Sequence, residues 1–205
     1  MSLAPTLYGL VLTGGRSRRF GADKAALRIG GDSLLQRTVE LLAAVTGRVY
    51  VSARSDQVGD ALRAAYPMIS DAEPGQGPAG GLLAAHGQHA EVAWLVAACD
   101  MPGLDEATLR ILVKLRNARK AATAFRSPVD GKVEPLCAIY EPATLARLSQ
   151  RATAGMGLSP RDLLGDSDVE YVEISDPAAL TNVNAPTDLE TWHASLPRMS
   201  DKGTE

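Results

Sequence analysis

Leu10-Val11-Leu12-Thr13-Gly14-Gly15-Arg16-Ser17-Arg18-Arg19-Phe20-Gly21-Ala22-Asp23-Lys24 is the stretch around which the chain is organised. The apolar run from Tyr8 ends at two glycines, and three arginines and a lysine follow. Such a run bounded by a turn signal predicts a buried strand, about Tyr8 to Thr13. Gly14 and Gly15 lack a Cβ, so the backbone can turn sharply and bring N–H groups close to a ligand. Forked arginine donors and a lysine point charge after such a turn suit a polyphosphate. Walker A does not fit, because Gly21 is followed by Ala22-Asp23-Lys24-Ala25. The dinucleotide fingerprint fails as well, because Ser17 stands where its middle glycine belongs.

Working outward, strands and helices alternate. Ser33, with Gln36 three residues on, predicts a capping box opening a helix whose stripe is Leu34, Leu35, Thr38, Leu41, Leu42 and Val45. Val49-Tyr50-Val51 reads as a strand, 57–65 as a helix, and Pro67 to Asp71 as a strand with an acidic end. The loop from Glu73 to Gly81 leads into a helix carrying Leu82, Leu83 and Ala85. Val92 to Ala98 is the most apolar strand and ends at Asp100-Met101-Pro102, and an amphipathic helix spans Asp105 to Asn117. Ala121 to Phe125 and Val133 to Tyr140 read as strands around a polar turn. A helix from Pro142 to about Ala152, a short helix capped by Ser159, a strand from Val169 to Ile174 and a last helix from Thr187 complete the chain.

The alternation implies an α/β fold: a three-layer, doubly wound, mostly parallel sheet. In such sheets ligands bind beyond the carboxyl ends of the strands, where the Gly14 loop, Ser52, Asp71 and Asp100 all fall.

Composition narrows the partners. The chain has 205 residues, 45% hydrophobic, with a net charge of -3, enough for one sizeable domain. Slight acidity makes it a poor nucleic-acid binder, and its cations gather at the opening loop, which suits a small anion. Cys99 and Cys137 lie in apolar runs and read as buried thiols. His86 and His89 read as a chance surface pair. No signal or membrane-spanning run is seen, so the expectation is a cytoplasmic protein with no membrane partner.

Leu12-Thr13-Gly14-Gly15, Arg19, Gly21 and Asp23-Lys24 resemble the signature of the nucleotidyltransferases that include molybdenum cofactor guanylyltransferase and the sugar-phosphate nucleotidyltransferases. The resemblance runs from Tyr8 to about Leu189 and implies a Rossmann-like nucleotidyltransferase fold. The expectation is one domain over 1–196, with a nucleotide-binding half (7–120) and an acceptor-binding half (121–196), followed by a polar tail (197–205) read as disordered. It implies that Lys24 and Arg19 contact phosphate and act in transfer with Asp100. Leu12, Thr13, Gly14, Gly15, Lys24, Asp71, Gly80 and Asp100 would bind the nucleotide.

Asp100 is the expected magnesium ligand, since Mg2+ takes one or two carboxylates while phosphates and water complete its octahedron. Glu134-Pro135-Leu136 resembles the acceptor-side motif, and Thr181-Asn182-Val183-Asn184-Ala185-Pro186 the Asn-x-Asn-x-Pro turn. Glu134, Asn182 and Asn184 are therefore the expected acceptor contacts, with Asn184 able to offer the metal a second oxygen.

Leu-Thr-Gly-Gly and Gly77-Pro78-Ala79-Gly80-Gly81 resemble the guanine-selecting versions, although relatives usually read Gly-Pro-Leu-Ala-Gly at the second. The implied activity is transfer of GMP from GTP to the terminal phosphate of molybdopterin, or of molybdenum-loaded molybdopterin, with release of pyrophosphate. Other cofactor-biosynthesis proteins or molybdoenzymes are the implied protein partners. A cytidylyltransferase, a sugar-phosphate nucleotidyltransferase and a non-catalytic nucleotide-binding module are the alternatives. No catalytic base is evident. None is needed, because a phosphomonoester acceptor, with its second pKa near ~6, is largely ionised at pH 7.

Overall fold

The structure, a computed structural model, describes residues 4–13, 23–57, 59–71, 75–127, 130–184, 187–188, 190 and 192. The strands are β1 (Leu7–Leu12), β2 (Arg28–Ile29), β3 (Asp32–Ser33), β4 (Val49–Ala53), β5 (Met68–Ser70), β6 (Ala93–Ala98), β7 (Ala122–Arg126), β8 (Val133–Tyr140) and β9 (Val169–Val172). The helices are α1 (Leu34–Ala43), α2 (Ala61–Ala64), α3 (Pro78–Gln88), α4 (Glu106–Lys114), α5 (Pro142–Thr153) and α6 (Pro160–Gly165).

Seven strands form one sheet in the order β5-β4-β1-β6-β8-β7-β9. β1 pairs in parallel with β4 and β6, and β4 pairs in parallel with β5. β8 alone runs against its neighbours β6 and β7, and β7 and β9 are parallel. A tight turn explains the reversal: Ser127 N–H donates to the Lys132 carbonyl at 2.7 Å, so β8 folds back on β7. From β1 the chain steps outward to β4 and β5, then returns to the other side of β1 as β6. The topological switch point therefore lies between β1 and β6, where such folds open their ligand crevice.

Side-chain alternation builds the three layers. Leu10 and Leu12 of β1, with Trp94 and Val96 of β6, face Leu82 of α3, Leu145 and Leu148 of α5 and Leu163 of α6. Val11, Leu95 and Ala97 face the opposite way, onto Leu35 and Leu42 of α1 and Leu109 and Leu112 of α4. Every residue of β6 is buried, as its composition predicts for a central strand covered on both faces.

Several expectations shift in detail. The region read as one helix over 57–65 is a 3-10 turn (Ser55–Gln57) followed by the short α2. Ser33 caps α1 by accepting from Gln36 N–H at 3.1 Å, but the Gln36 amide reaches forward to Glu40 Oε1 at 3.0 Å, so only half of the capping box forms. Thr187 and Asp188 are helical, where the last helix is expected to begin. His86 and His89 are half-buried. The His89 ring lies 5.6 Å from Tyr8, 5.2 Å from Tyr50 and 6.0 Å from Trp94. Cys99 and Cys137 are buried and unpaired with each other. No helix among the described residues is long and apolar enough to cross a membrane.

Candidate active site

The sheet delivers its polar residues to one edge. Thr13 follows β1, Ser52 lies at the end of β4, Asp71 follows β5 and Asp100 lies two residues past β6. Gly14, Gly15 and Arg19 lie outside the described residues.

Lys24 opens the 3-10 turn Lys24–Ala26, which Asp23 caps by accepting from Ala25 N–H at 3.1 Å. Its Nζ reaches across the switch point to Asp100 Oδ2 at 3.1 Å and to Asn184 Oδ1 at 3.0 Å. Three residues separated widely in sequence therefore converge, and the Lys24 and Asp100 side chains are only 16% and 23% exposed. The turn bearing Asn184 is fastened to the Asp100 loop by its backbone. Val183 N–H donates to the Asp100 carbonyl at 2.8 Å. Gly103 permits the close approach, since a Cβ there would meet the Ala178 carbonyl oxygen at 2.5 Å. Asn182 lies beside this fastening, its buried Oδ1 without a hydrogen-bond partner among the described residues.

Glu134 enters from β8. The β6–β8 register pairs Ala97 with Cys137, and continuing it three residues sets Glu134 level with Asp100. The β7–β8 register shifts between Ala124 and Arg126, beside Val133. Pro135 follows closely, where a missing N–H is tolerated. Glu134 is 8% exposed, and its Oε1 accepts from Leu136 N–H at 3.0 Å. Burial pushes its carboxyl above the usual range, and the nearby Asp100 and Asp130 charges push the same way against Leu136 N–H and Arg161.

On the other flank, Ser52 Oγ donates to Asp71 Oδ1 at 3.0 Å. Burial raises the Asp71 carboxyl, partly offset by Ser52 and Arg54. Gly80 lies against this carboxylate, with an added Cβ meeting Asp71 Oδ2 at 3.2 Å. Gly81 lets α3 approach β1 and β4, since a Cβ there would lie 2.3 Å from Ser52 Oγ. The backbone of Leu12 and the hydroxyl of Thr13 are committed internally. Leu12 O accepts from Cys99 N–H at 3.2 Å, and Thr13 Oγ1 donates to the Ser52 carbonyl at 2.6 Å.

Two site neighbours take their roles only from the fold. Ser52 orients Asp71, and Arg63, fully buried, pairs with Asp23 and Asp60 beneath the Lys24 turn. Ser52 lay among the strand-end residues but had no partner assigned. Arg63 sits in Ala61-Leu62-Arg63-Ala64, where no periodic signal separates it from a surface cation.

The arrangement joins a cation, a carboxylate and an amide oxygen beside the switch point, with buried Glu134 level with Asp100 and half-buried Asp71 on the other flank. Asp100 Oδ2 and Asn184 Oδ1 both accept from one ammonium, so two hard oxygens converge where a small cation would be held. Among the described residues no cluster of three or more His, Cys, Asp or Glu side chains could hold a metal ion by itself.

The chain is similar to known proteins over most of its length. A probable molybdenum cofactor guanylyltransferase of Chloroflexus aggregans is 32% identical over 199 residues, covering 93% of this chain and 95% of that protein. A molybdenum cofactor biosynthesis bifunctional protein of Synechocystis sp. is 31% identical over 182 residues, and the chain spans 52% of its length. The crystal structure of molybdopterin-guanine dinucleotide biosynthesis protein A from Archaeoglobus fulgidus shares the fold, with a TM-score of 0.74 at 23% identity over 91% of this chain and 97% of that one. Residues 9–170 match the family described as MobA-like NTP transferase domain, and the chain is a member of that nucleotidyltransferase family.

Proposed function

We propose that this chain transfers GMP from GTP to the terminal phosphate of molybdopterin, releasing pyrophosphate, with Mg2+ as its cofactor. The observation that carries the reading is the meeting of Lys24, Asp100 and Asn184 across the switch point. The relatives' names as molybdenum cofactor guanylyltransferases support the choice of nucleotide and acceptor.

In this reading an ionised oxygen of the acceptor phosphate attacks the α-phosphorus of GTP. A new P–O bond forms, the bond from the α-phosphorus to the bridging oxygen breaks, and pyrophosphate leaves with the electron pair. The protein has no proton to remove, and its work is placement and charge neutralisation. Lys24 supplies one positive charge to the phosphates. Asp100 and Asn184 would hold Mg2+, which when bound there neutralises charge on the phosphates and orients them. Asp71, aimed by Ser52, accepts hydrogen bonds from the base or ribose, and Gly80 leaves room beside it. Glu134 and Asn182 lie toward Asp100 and receive the acceptor.

The test is pyrophosphate release with molybdopterin, Mg2+ and each of GTP, CTP, UTP and ATP in turn. The reading expects turnover with GTP above the others and none without acceptor. Equal turnover with CTP, or turnover only with a sugar phosphate as acceptor, would replace it.

A further inference from the structure

We infer that Arg63 is a positioning residue for the phosphate half of the site, tying together the two residues that bracket 14–22. This rests on the transferase reading above. Arg63 lies on α2 and is 0% exposed, although its helix has only four residues. Its Nε–H donates to Thr13 Oγ1 at 3.0 Å. Its Nη1 and Nη2 donate to Asp23 Oδ2 at 2.6 Å and Oδ1 at 3.0 Å, a bidentate pair, and Nη1 also bonds Asp60 Oδ2. Thr13 is the last described residue before 14–22, and Asp23 is the first after it.

The consequences run outward from this one group. Asp23 caps the turn whose first residue is Lys24, so the guanidinium sets the height and direction from which Lys24 reaches Asp100 and Asn184. Thr13 is held by Arg63 on one side and by the Ser52 carbonyl on the other, which fixes the exit of β1. Burying a guanidinium is costly unless its donors are met, and here carboxylates on both sides meet them. A planar fork can hold three partners at fixed angles, whereas a lysine in its place cannot hold a bidentate carboxylate and a hydroxyl together. The described partners of Arg63 are Thr13, Asp23 and Asp60, so its direct bonds fall on the side of the cations, and it reaches Ser52 only through Thr13.

The experiment compares wild type with Arg63→Lys and Asp23→Asn, both conservative in size. Calorimetry with Mg2+ measures binding of GTP, inorganic tripolyphosphate and guanosine, and thermal melts confirm that each variant is folded at the assay temperature. The expected result is a tenfold or greater loss of affinity for GTP and tripolyphosphate in both variants, a matching rise in KM for GTP, and guanosine binding within twofold of wild type. Folded variants that bind tripolyphosphate like wild type would overturn the inference. Equal losses for all three ligands, or failure of both variants to fold, would do the same by reducing Arg63 to a support of the fold. A wild type that cannot turn over GTP, yet binds tripolyphosphate through Arg63, would refute the transferase reading and keep this one.

Discussion

Gly81→Ala tests how tightly α3 is seated on the strand ends. On an open helix face the change would stabilise, because alanine is the better helix former by about 1 kcal/mol. Gly87, on the same helix, is such a position, since an added Cβ there meets nothing within 4 Å. At Gly81 the added Cβ lies 2.3 Å from Ser52 Oγ, 2.8 Å from Leu12 Cδ2 and 3.1 Å from Ser52 Cβ. Relief requires the Ser52 hydroxyl to turn away from Asp71, giving up a 3.0 Å hydrogen bond, while Leu12 shifts. Overpacking of this kind costs about 1–3 kcal/mol, and the lost hydrogen bond about 1 kcal/mol more. The propensity gain offsets only one of these, so the net loss is about 1–3 kcal/mol. For a chain of this length that lowers Tm by roughly 2–12 °C. Gly87→Ala should leave Tm unchanged or raise it. Adding Ser52→Ala to Gly81→Ala should recover part of the loss, because the worst contact is gone while Leu12 still has to move. The assay is thermal melting of the four proteins, with KM for GTP alongside, which should rise in Gly81→Ala as Asp71 loses its orienting hydroxyl. A Gly81→Ala protein as stable as Gly87→Ala would show that the close seating is wrong.

Two further outcomes follow from the half-buried carboxylates. Asp71 is raised above its ordinary 3.8 by burial, so the stability it allows at low pH is lost as pH rises through its folded value. Asp71→Asn should therefore raise Tm at pH 7 and not at pH 3, while weakening GTP binding by about tenfold or more, as expected for losing a charged acceptor. For Asp23, burial pushes up but Arg63 and Ala25 N–H more than offset it, leaving the carboxyl below 3.8. The stability of that pair is present above pH 3.8 and drains away as pH falls through the lower folded value, so Asp23→Asn should flatten the acid limb of a Tm-against-pH curve.

What could be read from the residues was whatever local pattern dictates. The unbroken apolar run at Ala93–Ala98 marks a central strand because both its faces are covered, and Asp100 just beyond it had to emerge at a strand end. Lys24 was legible through its glycine-bounded turn, though nothing in the sequence states that Nζ reaches 160 residues onward to Asn184. Arg63 was hidden for a physical reason: its value lies in three partners brought by tertiary folding, and its own neighbours are small and featureless. The reversal of β8 depends on a short turn, which carries less pattern than a crossover helix. Gln36 shows the limit of motif reading, since the spacing permits a capping box and Glu40 offers its amide a competing acceptor one turn on. Helical spacing alone does not tell which face the aromatic rings of Tyr8, Tyr50 and Trp94 will cover, and the histidine they meet is His89.

The central claim is that Lys24 and Asp100 act on the same triphosphate from opposite sides of the crevice. Single-turnover release of pyrophosphate from GTP, with molybdopterin and Mg2+ present, measures it in wild type, Lys24→Ala, Asp100→Ala and the double variant. Each single change should slow release by about 100-fold or more, the scale of losing one preorganised charge-stabilising group. The double variant should fall well short of the product of the two, because the groups work as one unit. Wild-type rates in both folded single variants would contradict the account.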